Sequence, residues 1–467
     1  MAEAGQRSRL FGTDGVRGVA GLELTAQLAL DLSVAAATVL GGREGRVSRT
    51  TRESRDGHDG RPVAVVGRDP RVSGEFLEAA VVAGLASTGV DVLRLGVIPT
   101  PGVAYLTGAL DVDFGVVISA SHNPAADNGI KFFGPGGVKL PDATEDAIEA
   151  RIKAAQAANP VTEFGRIRDA AAEHGRYVDY LLATLPGSPQ PPLGGLRVVA
   201  DCAHGAAYRL APQALRRAGA EVITIGTAPD GLNINEGCGS TALGPLRAAV
   251  VEHGADAGIA YDGDADRCLA VDGEGQPLDG DQILTVLATG LKEAGRLTGD
   301  AVVVTVMSNQ GFHVAMREAG IEVIETPVGD KHVSAAMRDG GYVLGGEQSG
   351  HIIMGEHAST GDGLLTSLQL LAAVNRQGVP LAAAAKMMPK YPQVLVNVPG
   401  DASQLGPEVD AAVRRAEAQL GGDGRILVRP SGTEPKIRLM IQARDAALAE
   451  HVIGQLAEEV RRALADR

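Results

Sequence analysis

Short β-branched runs alternate with stretches of helical period along most of the chain. Residues 62–66 (PVAVV) predict a buried strand. Residues 75–88 predict a helix, because Phe76, Ala79, Ala80, Ala83 and Ala86 recur near the helical period. Further strands are expected at 90–95 and 114–118. The rhythm returns at 196–200, 206–218, 221–225, 245–253 and 256–261, and again at 301–306, 311–319, 321–325, 332–339 and 342–344. This β-α-β-α-β order places the chain in the α/β class, with mostly parallel sheets covered by helices on both faces. The last segment has another rhythm. Strands at 393–398, 425–428 and 436–442 and helices at 406–420 and 445–465 predict a small α+β domain, entered past Pro389 and Pro392. Each α/β round ends in a polar loop, at 119–124, 262–267 and 346–351. Ligands of open α/β sheets sit beyond the carboxyl ends of the strands, so three rounds place three loops around one cleft.

Composition narrows the class. The 467 residues carry 43 Lys plus Arg against 57 Asp plus Glu, a formal net charge of −14, and 45% are hydrophobic. That balance excludes wholesale disorder, and the length suggests about three domains or more. No uncharged apolar run is long enough to span a bilayer, and residues 1–10 lack the apolar core of a secretory signal. Cys202, Cys238 and Cys268 lie far apart without a C-x-x-C pair, which fits a reducing cytosol. An acidic chain with no Trp argues against general nucleic-acid binding. The tract 41–61 holds six arginines among interspersed acids and has no periodicity. It is read as a solvated loop between a helix at 26–40 and the strand at 62.

Chemistry concentrates in the loops. Asp262, Asp264 and Asp266 alternate, which in an extended segment would point all three carboxylates to one side. Converging carboxylates repel unless a cation joins them. An EF-hand is rejected, because its sixth and twelfth positions are Arg267 and Gly273. The reading is a Mg²⁺ site completed by a phosphoryl oxygen. Ser121 follows a buried strand, and no serine sits in a G-x-S-x-G elbow, which argues against an ordinary serine hydrolase. A hydroxyl near Mg²⁺ suits phosphoryl transfer instead. Lys131 is read as stabilising the transferring group or exchanging protons with it. Between Arg429 and Arg438, Ser431, Gly432 and Thr433 add hydroxyl and backbone donors to two arginines, a set that holds a non-reacting phosphate. No Gly-Lys dipeptide occurs, so a Walker A loop is absent. Glu347 and Ser349 are read as partners of vicinal sugar hydroxyls. Arg17, in the Gly-rich stretch 11–18, is read as reaching a phosphate. Taken alone each loop fits a plain polar turn; the combination points to chemistry.

Together the loops resemble the α-D-phosphohexomutase superfamily over essentially the whole chain except 41–61. Ser121-His-Asn-Pro124 is similar to its active-site serine loop and Asp262-Gly-Asp-Ala-Asp-Arg267 to its metal loop. Gly346-Glu-Gln-Ser-Gly-His351 is similar to its sugar loop, and 429–438 to its phosphate loop. The stretches 10–18, 118–124 and 306–309, with Gln348, resemble the bacterial amino-sugar branch. Ala265 stands where Gly is usual, and Lys331 and His332 stand where Arg and Tyr are more typical. The resemblance implies three consecutive α/β domains with mixed, mostly parallel sheets plus a C-terminal α+β domain around a central cleft. The expected bounds are 1–178, 179–276, 277–390 and 391–467.

The resemblance also implies interconversion of glucosamine 6-phosphate and glucosamine 1-phosphate, with phosphate carried on Ser121. Glucosamine or glucose 1,6-bisphosphate would be the intermediate and activator. Ser121 would share Mg²⁺ with the three aspartates, and Arg267 would join Glu347 and Ser349 among the substrate contacts. Lys131, His351 and Arg17 would handle proton traffic and charge. The expected partner is a small phosphosugar in the cytoplasm, with no nucleic acid and no membrane. A homodimer rests on the resemblance alone, and a bisphosphate or an activating kinase would first load Ser121. Rivals are a phosphomannomutase or phosphoglucomutase on the same scaffold, a metal-dependent phosphohydrolase, and a silent sugar-phosphate sensor.

Overall fold

The computed structural model describes residues 9–12, 14–42, 60–154, 163–187, 190–400, 406–421, 424–430 and 436–465. Most of the expected loop at 41–61, from 43 to 59, lies outside them. Packing divides the chain into two units, Met1–Val306 with Ile324–Ala385, and Met307–Val323 with Lys386–Arg467.

The first unit opens with β1 (Val16–Val19), α1 (Ala26–Leu40), β2 (Val63–Arg68), α2 (Ser73–Ser87), β3 (Asp91–Val97) and α3 (Thr100–Ala109). It continues through β4 (Phe114–Ile118), β5 (Asp127–Phe133), α4 (Asp142–Ala154), β6 (Ile167–Asp169) and α5 (His174–Ala183). The six strands lie in the order β1-β5-β4-β2-β3-β6. β2 runs parallel to β3 and β4, while β5 runs antiparallel to β4 and β1. Val63 to Val66 are all buried, as a strand covered on both faces requires. The stripe that predicts α2 is not its core face. Phe76 is 39% exposed, whereas Leu77, Val81 and Leu85 are fully buried. Apolar side chains recur on both sides of this helix, and the bulkier Leu and Val side take the core because burial gains scale with area.

A second sheet follows from β7 (Arg197–Asp201), α6 (Leu210–Arg217), β8 (Glu221–Ile225), α7 (Gly244–Glu252), β9 (Ala257–Tyr261), β10 (Cys268–Asp272) and β11 (Pro277–Leu278). Its order is β11-β10-β9-β7-β8, with β7 parallel to β8 and β9 and with β10 antiparallel to β9. The third comprises α8 (Gly280–Glu293), β12 (Ala301–Thr305), α9 (Gln310–Glu318), β13 (Glu322–Thr326), α10 (Asp330–Gly340), β14 (Leu344–Gly346), β15 (Ile352–Met354), α11 (Gly363–Gln377) and α12 (Leu381–Ala385). Its sheet runs β13-β12-β14-β15.

These three sheets share one device. A buried strand ends, a polar loop turns, and an antiparallel strand returns beside it. The closing register pairs are Ile118 with Ile130, Tyr261 with Cys268, and Gly346 with Ile352. The three polar loops named from the sequence are these three turns.

In the second unit, β16 (Gln393–Pro399), α13 (Pro407–Leu420), β17 (Gly424–Pro430), β18 (Lys436–Ala443) and α14 (Ala446–Ala465) form an antiparallel sheet, β16-β18-β17, backed by helices. Ile437, Leu439 and Ile441 alternate along β18 and pack with Val409, Val452, Leu456 and Val460. Although it lies between β12 and β13 in the chain, the helix α9 packs with this unit and not with the first: Asn309 at its N-terminus hydrogen-bonds both the amide and the carbonyl of Tyr391.

Candidate active site

Ser121 lies just beyond β4, is buried, and has a φ of +54°. A left-handed conformation costs a residue with a Cβ about 1–2 kcal/mol, so the surroundings must enforce it. They do so from several directions. The Ser121 amide donates to Ser119 Oγ at 2.9 Å, and Ser119 Oγ donates to Asp69 Oδ2 at 2.5 Å. Asp69 pairs with Arg71, and both are fully buried. Arg71 Nη2 then donates to the carbonyls of Ser121 (3.1 Å) and Asn123 (2.6 Å). Gly263 approaches so closely that a Cβ there would lie 2.5 Å from the Ser121 carbonyl oxygen. The outcome is a hydroxyl aimed across to the second sheet's loop, donating to Asp262 Oδ2 at 2.6 Å.

The three aspartates converge, but not by alternation along an extended segment. Residues 262–267 form a turn in which Ala265 takes a φ of +58°. The turn gathers one oxygen from each of Asp262, Asp264 and Asp266 within 4.8 Å of one another, all three residues buried. Their charges are handled differently. Burial, then Asp266 and Asp264, push Asp262 well above the usual carboxylate range. Burial and Asp264 push Asp266 upward too. Burial also works against the charge of Asp264, yet Lys131 and Thr100 hold it below the ordinary range. Thr100 opens α3, and its amide and hydroxyl donate to the carbonyl and the carboxylate of Asp264, at 2.9 and 2.7 Å.

Lys131 is buried, not solvated. Its Nζ lies 2.6 Å from Asp14, 3.0 Å from Asp264 and 3.9 Å from Asp266. Asp14 also meets Arg17 and, at 3.1 Å, Lys139, and it stays well below the usual carboxylate range against the cost of its burial. Lys139 pairs with Asp330 at the start of α10. His351 Nε2 lies 3.5 Å from Asp330 and 3.9 Å from Asp266, and both ring nitrogens are buried without a hydrogen bond. Arg267 stands 3.8 Å from Asp266 and feels Glu347 as well. Glu347 accepts from the Gly329 amide at 3.2 Å and, more distantly, from Ser349. Gly350, with a φ of +90°, turns this loop; a Cβ there would meet the Cys268 carbonyl at 2.4 Å.

Ser121, Lys131, Arg17, Asp262, Asp264, Asp266, Arg267, His351, Glu347 and Ser349 therefore all belong to the first unit's three-loop neighbourhood. Arg429 and Arg438 belong to the second unit, where they face each other as a register pair across β17 and β18. Burial and Arg438 lower the affinity of Arg429 for its proton. Ser431, Gly432 and Thr433 lie outside the described residues. Sequence reasoning passed over Asp14, Asp69, Arg71, Thr100, Lys139, Asn235 and Asp330. The signal for Asp69 and Arg71 was available, since they follow the carboxyl end of a parallel strand as the three named loops do.

The acidic cluster fits a hard divalent cation. Its donors are all oxygen, and Asp264 Oδ1 and Asp266 Oδ1 are buried with no hydrogen-bond partner. Lys131 offsets only part of the negative charge.

Comparison with known proteins defines the class and then the family. Residues 8–159 match the phosphoglucomutase/phosphomannomutase alpha/beta/alpha domain I, 175–275 domain II, 279–391 domain III, and 382–459 the C-terminal domain. The chain belongs to the phosphoglucomutase/phosphomannomutase family, and it is an isomerase, an intramolecular phosphotransferase. It is 59% identical over 457 residues to the phosphoglucosamine mutase of Thermobifida fusca (strain YX), covering 97% of this chain and 98% of the relative. It is 57% identical over 461 residues to that of Frankia alni, covering 98% and 99%. Among solved structures, a phosphoglucomutase/phosphomannomutase family protein from Burkholderia thailandensis matches with a TM-score of 0.79 at 26% identity over 97% of each chain. The Aspergillus fumigatus N-acetylphosphoglucosamine mutase, solved with GlcNAc-6P and magnesium, shares the fold with a TM-score of 0.63 at 18% identity, over 99% of this chain and 97% of that one. Among the described residues no helix is long and apolar enough to cross a membrane.

Proposed function

We propose that this enzyme interconverts glucosamine 6-phosphate and glucosamine 1-phosphate, on the route to UDP-N-acetylglucosamine and cell-wall precursors in the cytoplasm. The choice of sugar rests on kinship with phosphoglucosamine mutases at 56–59% identity over nearly the full chain. The observation that carries the chemistry is Ser121 Oγ, 2.6 Å from Asp262 within a cluster of three buried aspartates.

In this reading the working enzyme carries phosphate on Ser121. The P–O bond to Ser121 Oγ breaks as one to the sugar's O1 forms, giving a 1,6-bisphosphate. After the bisphosphate turns over in the site, the 6-phosphate returns to Ser121 Oγ and the 1-phosphate leaves. A divalent cation, Mg²⁺ in this reading, held by Asp262, Asp264 and Asp266 would draw charge off the transferring group. Lys131 neutralises charge at Asp264 and Arg17 at Asp14. His351, whose buried ring nitrogens take no hydrogen bond, would pass a proton to or from a sugar hydroxyl. Glu347 and Ser349 would grip ring hydroxyls, with Arg267 beside them. Arg429 and Arg438 support a site for the non-reacting phosphate, since an anion between two facing guanidiniums relieves their repulsion. The four-domain division at 178, 276 and 390 and a homodimer belong to the same reading.

The test is a substrate panel with Mg²⁺ and a trace of hexose 1,6-bisphosphate. It compares kcat/KM on glucosamine, glucose and mannose 6-phosphates while free phosphate is monitored. Strong preference for the amino sugar with little free phosphate is expected. Preference for glucose or mannose would move the enzyme to a sister activity. Phosphate released at the rate of substrate loss would make it a hydrolase.

A further inference from the structure

We propose that Asn235 is a positioning residue for Ser121, acting from the second sheet's part of the chain on the backbone of the serine loop. The inference rests on the reading that Ser121 carries the phosphate. Asn235 Nδ2 donates to the carbonyls of Ser121 and Asn123 at 2.9 and 3.1 Å. These are the same two carbonyls that Arg71 holds. Its Oδ1 is buried and takes no hydrogen bond, so the amide is present for its N–H groups. Asn235 itself has a φ of +60°, a conformation that Asn tolerates better than most side chains. Its amide is tied to the Ala203 carbonyl at 2.9 Å, and the Val72 amide donates to the Gly231 carbonyl at 2.9 Å. The segment from Gly231 to Asn235 thus meets the first sheet's part of the chain at Val72 and, through the Asn235 side chain, at the serine loop, while Ala203 ties it to its own sheet's part.

This arrangement controls the nucleophile through its backbone. With both carbonyls pinned from two sides, the Ser121–His122 and Asn123–Pro124 peptides are held against rotation, and a rotation of the first would swing Ser121 Oγ away from Asp262. The stretch of chain that carries the aspartates also carries Asn235, so the Ser121–Asp262 contact is fixed from both ends. Asn235 touches no reacting atom in this scheme. Its effect falls on the alignment of Ser121, where a displacement of about 1 Å can cost about a hundredfold in rate.

Two variants of the full-length enzyme test this. Asn235→Gly removes both donors but keeps the left-handed backbone free of strain. Asn235→Asp keeps the shape and replaces the donor by an oxygen facing two carbonyls. Expected in Asn235→Gly is a fall in kcat of about 10- to 100-fold with KM for the sugar phosphate within about threefold, and a larger fall in Asn235→Asp. The rate at which glucose 1,6-bisphosphate loads phosphate onto Ser121, followed by intact mass, should fall by the same factor as kcat. Variants loaded and turning over within twofold of the parent would overturn the proposal. So would a loss confined to KM, or one that vanishes once rates are corrected for the folded fraction. A parent enzyme that turns over with no phosphate on Ser121 would sink the nucleophile reading itself, and this proposal with it.

Discussion

The loops after β4 and after β9 hold the same place in their sheets, and each carries one residue with a Cβ at positive φ. In the serine loop that residue is Ser121 itself, at +54°. In the acidic loop it is Ala265, at +58°, a spacer between Asp264 and Asp266. The serine loop is surrounded by donors: Arg71 and Asn235 hold its carbonyls, and Ser119 holds its amide. The acidic loop is short of donors, and two buried carboxylate oxygens have none. One loop stores geometry and the other stores charge. Phosphoryl transfer asks the protein for positioning and for electrostatic stabilisation, and here the two demands fall on separate turns.

The largest effect should come from removing the aimed group. Ser121→Ala is expected to lower turnover by at least about a thousandfold, because no other group takes over a lost nucleophile. The thermal midpoint should stay within a few degrees of the parent, since Arg71 and Asn235 grip the backbone, not the side chain. Substantial residual turnover would shift the nucleophile to Ser119 and dissolve the contrast between the loops.

Within the acidic loop, two isosteric changes should move stability in opposite directions in protein stripped of divalent cations. Asp264→Asn leaves buried Lys131 with Asp14 as its remaining close partner, at 2.6 Å. It should cost about 3 kcal/mol, the low end for breaking a buried pair. Asp262→Asn removes a repelled charge, keeps an oxygen for the Arg267 amide and turns an NH2 toward Ser121 Oγ, which can accept from it. It should stabilise by about 1 kcal/mol. Denaturant unfolding in chelator reads both. Added Mg²⁺ should raise the parent's midpoint and not that of Asp262→Asn. If both variants destabilise equally, the loop's charge is already balanced without a cation.

Much of this was legible in the sequence, for reasons that individual elements show. Val63 to Val66 and the alternation in β18 are patterns that burial imposes directly on residue choice. The helix α11 gave little periodic signal, because it is buried around most of its circumference, whereas Asp281, Thr285, Thr289 and Lys292 of α8 recur near the helical period and were there to be read. The return strand β15 is three residues long, and β5 begins with the turn-like Asp127-Asn128-Gly129. Asp262, Asp264 and Asp266 declared a metal loop by type and spacing, while the bent backbone that gathers them did not show. Asn235 was invisible, since one amide among many is given meaning only by the two carbonyls it reaches. Lys139 and Asp330, 191 residues apart, are joined by tertiary structure alone.

Behind the acidic loop a further carboxylate should betray itself through pH. Asp362 caps α11 at the Leu365 amide and accepts the Tyr177 hydroxyl at 2.8 Å. The next amide, Gly363, holds the Ala265 carbonyl at 3.0 Å. Burial raises Asp362 to about 6 despite those donors. Between that value and the ordinary 3.8, the folded protein binds a proton that the unfolded chain does not. This group's contribution to stability therefore rises as pH falls through the window. Between pH 7 and 4.5 the parent should gain about 2 kcal/mol relative to Asp362→Asn. A pH-independent difference between the two would show that Asp362 is not the titrating group.

The smallest expected effect tests whether the strain in the acidic loop matters at all. Ala265→Gly relieves a left-handed penalty of about 1–2 kcal/mol. Against that, it removes one buried methyl, about 0.8 kcal/mol, and adds freedom to the unfolded chain, about 0.4–1 kcal/mol. These contributions nearly cancel, so stability should change by less than about 1 kcal/mol, and turnover should stay within about threefold of the parent, because neither the Ala265 amide nor its carbonyl bond depends on the methyl. Ala265→Val sets the opposite bound. A β-branched residue at this φ, fully buried beneath α11's first turn, should cost about 3 kcal/mol. A large gain or loss of turnover in Ala265→Gly would mean that the backbone of this loop, like that of Ser121, is tuned for the reaction. An unchanged enzyme would confirm that alanine here is tolerated scaffold, and that the functional strain is confined to Ser121.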